Sequence, residues 1–138
     1  MAPTKADGRN EPHDSTREVV RRFIEAFKQK DASAIPDLVA EDCVMEAMQP
    51  APDGERIEGR TATVTFWQAM VSDPNGSFDV EDVNLCGEWA INRWRYRYGQ
   101  GREDSVRGVT LIRVRNGKIA EALGYAKTPP RGTLGQPQ

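Results

Sequence analysis

The sequence predicts a single domain of the α+β class, on three observations. The chain has 138 residues, close to the usual size of one domain. Apolar residues recur at helical spacing in three segments before Asp73. After Gly76 that period gives way to long alternating stretches separated by turns with glycine, which is typical of an antiparallel meander. We therefore expect three N-terminal helices packed on a curved, mostly antiparallel sheet that forms a cone with an internal pocket.

Segments rich in proline and glycine flank the predicted domain. They predict a flexible tail over residues 1–14, one domain over 15–127 and a second flexible tail over 128–138. The sole histidine, His13, falls in the first tail, so the predicted domain contains no histidine.

The first helix has the clearest start signal. Ser15 and Glu18 have the spacing of a capping box, in which each side chain accepts a hydrogen bond from the backbone amide of the other residue. Behind them lies an apolar stripe at helical spacing, made of Val19, Val20, Phe23, Ile24 and Phe27. A shorter helix is predicted near Ala34–Ala40, and a third over about Thr61–Ser72.

Strands are predicted at 43–48, 78–86, 88–98, 105–115 and 118–127. The stretch 88–98 has an unusual alternation, because three arginines share one face. An arginine row normally faces solvent, which turns the opposite row inward. That inward row consists of Ala90, Asn92, Trp94, Tyr96 and Tyr98.

The last hairpin has two alternative registers. Asn116 and Gly117 can form a two-residue turn that pairs Arg115 with Lys118. Alternatively, a three-residue loop pairs Val114 with Lys118, and we prefer this register because it gathers small residues on one face. That face would contain Gly108, Thr110, Ile112, Ala120, Ala122 and Gly124, with Val109, Leu111, Ile119, Leu123 and Tyr125 on the other.

The composition excludes several classes of function. A net charge of -2 and a pI near 5.5 argue against a nucleic-acid-coating protein. A mean hydropathy of -0.67 and the lack of a long apolar run argue against a membrane span or an export signal. We therefore expect a cytoplasmic protein with no nucleic-acid or membrane partner.

The two cysteines have no metal-binding spacing. Cys43 and Cys86 stand far apart, without paired histidines, so we expect no metal and no cofactor. Each lies in an apolar, strand-like run, which predicts two buried free thiols.

Several segments resemble a known family when their order is considered. They are Phe27–Asp31, Leu38–Val44, Ile57–Arg60 and the long run Arg107–Glu121. Together they are similar to the nuclear transport factor 2-like superfamily, in its SnoaL-like branch, over residues 15–127. The resemblance implies a cone-shaped α+β fold around an apolar pocket, commonly as a dimer. That superfamily includes ketosteroid isomerases, limonene epoxide hydrolases, SnoaL-type polyketide cyclases and non-catalytic members.

The resemblance also implies where catalytic residues would fall, and this sequence departs from each pattern. The general base, the oxyanion-hole Tyr and the protonated Asp of ketosteroid isomerases fall on Ala47, Phe23 and Thr110. The water-activating set of limonene epoxide hydrolases falls near Trp94, Tyr96 and Gly124. The last-strand positions that SnoaL-type cyclases use are Ala122 and Gly124.

Carboxylate or tyrosine chemistry remains for the predicted pocket. Glu46 is the candidate base, because burial against Phe23 and Trp67 would raise its pKa, while an outward-turned, solvated Glu46 is the alternative. Tyr96 and Asn92 are candidate donors to a ligand oxygen. We assign Glu46 and Tyr96 as catalytic candidates, and the predicted substrate-binding residues are Phe23, Phe27, Trp67, Asn92, Trp94 and Thr110.

Two function hypotheses follow. One is a cofactor-independent enzyme that isomerises or cyclises a small apolar, aromatic or polyketide-like metabolite with non-standard catalytic residues. The other is a non-catalytic ligand-binding or assembly module. Under both, the apolar outer face of the sheet predicts a homodimer.

Overall fold

The structure is a computed structural model that describes residues 2–127, with side chains from Asp14 onward. In chain order it contains helix α1 (Ala2–Gln29), two short 3₁₀ turns (Ala32–Ala34 and Pro36–Leu38), strands β1 (Val39–Glu46) and β2 (Arg56–Glu58), helix α2 (Arg60–Ser72), and strands β3 (Ser77–Cys86), β4 (Trp89–Arg97), β5 (Ser105–Arg115) and β6 (Lys118–Ala126). The predicted α+β class is confirmed.

All six strands belong to one sheet, in the order β2-β1-β6-β5-β4-β3. Strands β3 to β6 form the predicted antiparallel meander. Strand β1 lies parallel to β6, and β2 pairs antiparallel with β1, so the sheet is mixed. The cone shape stays a prediction.

Helix α1 begins at Ala2, so the predicted capping-box start at Ser15 is wrong. Before Ser15 the sequence contains helix-favouring residues such as Ala6, Arg9 and Glu11 but also Pro3, Gly8 and Pro12, so local propensity does not account for this earlier start. The hydroxyl of Thr16 anchors α1 by donating a 2.9 Å hydrogen bond to the carbonyl of Gly87. The domain boundaries stay predictions, and the second predicted tail lies outside the described residues. His13 falls within α1, but its side chain is not among those described.

The segment 32–46 differs from its prediction. The helix expected over Ala34–Ala40 is replaced by the two 3₁₀ turns, and β1 begins at Val39. Pro36 has no N–H to donate, and the β-branched Val39 favours the extended conformation. Strand β2 was not predicted from the sequence. Helix α2 starts one residue before its predicted range and ends with it.

The turn between β5 and β6 has the two residues of the first alternative, so the preferred three-residue loop is wrong. Arg115 pairs with Lys118, and Asn116 and Gly117 have φ values of 54° and 76°. Both values lie in the left-handed region that such a turn requires.

Beyond the turn, the register shifts between Arg113 and Val114. Because of this shift, most of the small residues that the preferred register placed on one face do share a face. Ile112 pairs with Ala122 and Thr110 with Gly124, so these residues share the face that lies under the helices. The shift has one consequence for the outer face. Ile119, predicted there, is fully buried beside Val114 instead.

Helices α1 and α2 cover one face of the sheet, and the core lies between them. The arginine row of β4 lies on the opposite face, as predicted, and three arginines of β4 and β5 pair there with acidic residues of β3. Arg97 contacts Asp79 at 2.6 Å, and Arg93 contacts Asp82 at 2.7 Å. Acidic residues of β3 and basic residues of β4 are therefore neighbours in the sheet.

Candidate functional site

A cavity of about 720 Å³ lies between the two helices and the sheet. It borders all six predicted substrate-binding residues and Tyr96, whose roles stay predictions. Aromatic rings dominate its wall. They are Phe23, Phe27, Phe66, Trp67, Phe78, Trp94, Tyr96 and Tyr98.

The helix side of the cavity is formed by packed rings. Phe23 and Phe27 lie one turn apart on α1, and their ring centroids are 5.0 Å apart. Trp67 on α2 meets Phe23 edge to face, with centroids 4.7 Å apart. These tilted and edge-on geometries are the ones that aromatic pairs prefer, so the rings of this wall stabilise one another.

Phe78 connects the helix side to the sheet side. Its ring stands at 89° to both Phe27 and Trp94, at centroid distances of 5.3 and 5.1 Å. It lies 4.6 Å from Tyr96, its cross-strand partner. Phe78 was not predicted as a site residue. The available signal was its spacing of two residues from Val80, which places both side chains on the same face of β3.

The indole of Trp94 is held in one orientation. Its N–H donates a 2.9 Å hydrogen bond to the hydroxyl of Thr110. Gly108 provides the space for the ring, because a Cβ there would collide with the indole and with the carbonyl of Tyr125. A buried indole N–H normally requires such a partner.

Asn92 is a buried polar side chain that borders the cavity. The residue is 5% exposed, and its Oδ1 has no hydrogen-bond partner among the described residues. A buried amide left in this state costs free energy.

The hydroxyl of Tyr96 lies close to the turn after α2. A Cβ added to Gly76 would stand 2.5 Å from the hydroxyl oxygen. Burial, and to a smaller extent the Asp73 carboxylate, raises the pKa of Tyr96 above its ordinary value. The group therefore keeps its proton at neutral pH and can donate a hydrogen bond.

Glu46 takes the outward-turned alternative and is not buried against Phe23 and Trp67. Its strand partner is Leu123 on the outer face, whereas the neighbouring Met45 pairs with the buried Ala122. The side chain of Glu46 is 31% exposed, and its carboxylate lies 3.7 Å from the guanidinium of Arg56. The alternation of β1 therefore turns this carboxylate away from the cavity, although the residue borders it.

The two cysteines have different surroundings. Cys43 is buried, as predicted, and burial raises the pKa of its thiol to about 11. Cys86 is exposed, so its predicted burial is wrong, because β3 ends there at the sheet edge. Among the described residues, no group of three or more potential ligands is placed to hold a metal ion, and no helix is long and apolar enough to cross a membrane.

Comparison with known proteins decides the family. The model for the SnoaL-like domain matches residues 20–122. This chain belongs to the SnoaL-like family. No curated protein matches it.

Solved structures with the same fold include relatives of several kinds. An NTF2-like protein of unknown function from Mesorhizobium loti is 46% identical, with a TM-score of 0.79 over 83% of this chain and 93% of that chain. A steroid delta-isomerase from Pseudomonas aeruginosa is 14% identical, with a TM-score of 0.69 over 87% and 84%. An LEH-like epoxide hydrolase from M. tuberculosis is 18% identical, with a TM-score of 0.65 over 83% and 79%. The last two show the fold alone.

Positions where the resemblance implied catalytic groups border the cavity of this SnoaL-like protein. Phe23, Ala47 and Thr110 do so, as do Trp94, Tyr96 and Gly124. Gly124 lies at the cavity floor, where a Cβ would come within 3.2 Å of the Glu46 carbonyl. At those positions this SnoaL-like domain therefore has no carboxylate or arginine, and its only polar side chains there are the hydroxyls of Thr110 and Tyr96 and the indole N–H of Trp94.

Proposed function

We propose that this SnoaL-like protein binds a small, mostly apolar, planar or cyclic metabolite in the cavity. The single observation that carries the proposal is the aromatic lining of a 720 Å³ space. Pockets for small molecules are usually about 300–1,000 Å³, predominantly apolar, with few polar groups. The wall of this cavity consists mainly of aromatic and aliphatic side chains, and Asn92, Thr110 and Tyr96 are among its polar groups.

Filling the cavity tests this proposal. Val80 borders the cavity and is 37% exposed, so Val80→Trp places an indole in the space without forcing it into the core. We expect naphthalene to bind the wild-type protein in calorimetry, and Val80→Trp to weaken its affinity by about tenfold or more. Thr65→Trp, at an exposed position of α2, is the control and should leave the affinity unchanged. Failure of wild-type binding, or equal affinity in both variants, would overturn the proposal.

A second candidate function is cofactor-independent isomerisation or cyclisation of such a molecule. The protonated hydroxyl of Tyr96 supports it, since a donor at the cavity wall can stabilise negative charge on a ligand carbonyl. A steroid delta-isomerase has the same fold, so the fold is compatible with such a reaction. The outward turn of Glu46 weighs against a carboxylate base, and for that reason we place ligand binding first.

Turnover of a β,γ-unsaturated cyclic ketone, followed by the absorbance of its conjugated product, tests the second function. We expect Tyr96→Phe to lower the rate at least about a hundredfold if Tyr96 stabilises the oxyanion. Glu46→Gln should abolish turnover only if this side chain acts as the base. Absence of turnover by the wild-type protein on a ligand that binds would leave the non-catalytic function standing.

We also propose that the protein is a cytoplasmic homodimer formed through the outer face of the sheet. Ile91, Leu111 and Leu123 form one cross-strand row there. Ile91 is 39% exposed, and Tyr125, beside this row, is 53% exposed. A second copy would cover this apolar surface by two-fold symmetry. The cytoplasmic location rests on two unpaired cysteines.

A further inference from the structure

The amide of Asn92 is the one buried side chain on the cavity wall that the fold leaves without a partner on its oxygen, among the described residues. Strand alternation places Asn92 inward, between its cross-strand neighbours Val83 and Thr110. Val83 offers no polar atom. The oxygen of Asn92 therefore depends on Thr110 or on a molecule in the cavity.

Thr110 does not supply that partner. Its hydroxyl accepts the N–H of Trp94 at 2.9 Å and makes no hydrogen bond with the amide of Asn92. Asparagine at this position costs stability, because a buried unsatisfied amide is worse than an apolar side chain of similar size. Such a cost in a cavity wall indicates that the partner comes from the ligand.

We propose that Asn92 is the specificity-determining residue of the cavity, and that its amide binds a hydroxyl group on an otherwise apolar, planar ligand. This inference rests on the proposed function, since it requires a ligand in the cavity. The terminal torsion of asparagine is broad, so the amide can present its oxygen or its NH₂ group to the cavity.

The chemistry of the amide selects among ligand groups. A hydroxyl both donates to Oδ1 and accepts from Nδ2, so it satisfies both ends of the amide. A ketone only accepts and would leave Oδ1 without a partner. A carboxylate would require a cation to balance its charge. Lys28 is the sole cation among the described residues that border the cavity, and its side chain is exposed.

Three probes of nearly equal size separate these groups in calorimetry. They are naphthalene, 2-naphthol and 1-tetralone, which offer no polar group, a hydroxyl and a ketone. We expect the wild-type protein to bind 2-naphthol about tenfold more tightly than naphthalene, the effect of one satisfied hydrogen bond. The affinity for 1-tetralone should lie between the two.

Asn92→Leu keeps the approximate volume and removes the amide. It should abolish the preference for 2-naphthol and keep the naphthalene affinity within about twofold. Its free energy of unfolding in urea should equal or exceed that of the wild type. Asn92→Val, which suits a strand, provides a second variant if the leucine does not fit. Asn84→Leu makes the same change at an exposed position on the other face of β3 and should leave all three affinities unchanged.

The outcomes are separable. Naphthalene binding without a preference for 2-naphthol, a preference for 1-tetralone, or a 2-naphthol preference that survives in both Asn92 variants would overturn this inference alone. Failure of all three probes to bind the wild-type protein would overturn the proposed function and this inference with it.

Discussion

The indole N–H of Trp94 donates to the hydroxyl of Thr110 across neighbouring strands, at 2.9 Å. This bond orients the largest ring on the sheet side of the cavity, and Phe78 packs edge-on against that ring. Thr110 makes no hydrogen bond with its other neighbour Asn92, whose oxygen has no partner among the described residues. The Trp94–Thr110 pair therefore fixes the ring that shapes the sheet side of the cavity.

Thr110→Val tests that relationship. The substitution keeps the β-branched shape but removes the acceptor, which leaves a buried indole N–H without a partner. We expect the free energy of unfolding in urea to fall by about 1–3 kcal/mol. Thr110→Ser keeps the hydroxyl and should lose less stability. An unchanged unfolding free energy in Thr110→Val would show that the bond contributes nothing.

The spacing of apolar residues in the sequence correctly predicted the inward faces of β4 and α1. The alternation in β4 correctly placed Asn92 and Trp94 inward, because each strand residue that faces a core must be compatible with it. The apolar stripe of α1 likewise identified Phe23 and Phe27 as cavity residues. In both cases, residues within the element itself determine which of its faces is buried.

The features that local patterns left open or missed depend on contacts between distant segments. Glu46 turns outward because β1 pairs in parallel with β6, and no local pattern defines that register. Ile119 is buried because the hairpin shifts register between Arg113 and Val114. Such an irregularity changes the face on which the neighbouring residues lie, and the residues of the turn do not indicate it.

Lys30 holds the turn that packs against Tyr96. Its ammonium donates to the carbonyls of Asp73 and Gly76, at 2.9 and 2.7 Å. Lys30→Met removes both bonds, and we expect the free energy of unfolding to fall by about 1–3 kcal/mol. Lys28→Met is the control two residues away, exposed and without an ion pair among the described residues, and should change it by less than about 0.5 kcal/mol. Equal effects of the two substitutions would contradict the role of Lys30.

The buried thiol of Cys43 predicts a loss of stability at alkaline pH. Burial raises its pKa from 9.0 to about 11 in the folded protein. The unfolded chain therefore releases this proton first, so the stabilising contribution is complete below about pH 9 and declines as the pH rises toward 11. Cys43→Ser removes the titrating group. From pH 9 to pH 11, the free energy of unfolding should therefore fall more in the wild type than in Cys43→Ser.

Urea unfolding of both proteins at several pH values measures this effect, and the comparison cancels the other groups that titrate there. A difference that stays constant with pH would contradict the burial of an un-ionised thiol. Cys86, which is exposed, provides an internal check, since a thiol reagent at pH 8 should modify one cysteine per chain rapidly.

The apolar row on the outer face predicts the oligomeric state. Ile91→Asp places a charge at the centre of the proposed interface, beside Leu111. Burying two such carboxylates against each other across a two-fold axis is strongly unfavourable, so we expect monomers at micromolar concentration, where the wild type is a dimer. Thr65→Asp, on exposed α2, adds the same charge away from the sheet and should remain dimeric. Sedimentation velocity distinguishes the two species, and a wild-type protein that sediments as a monomer would refute the interface, because no second copy would then cover Ile91 and Tyr125.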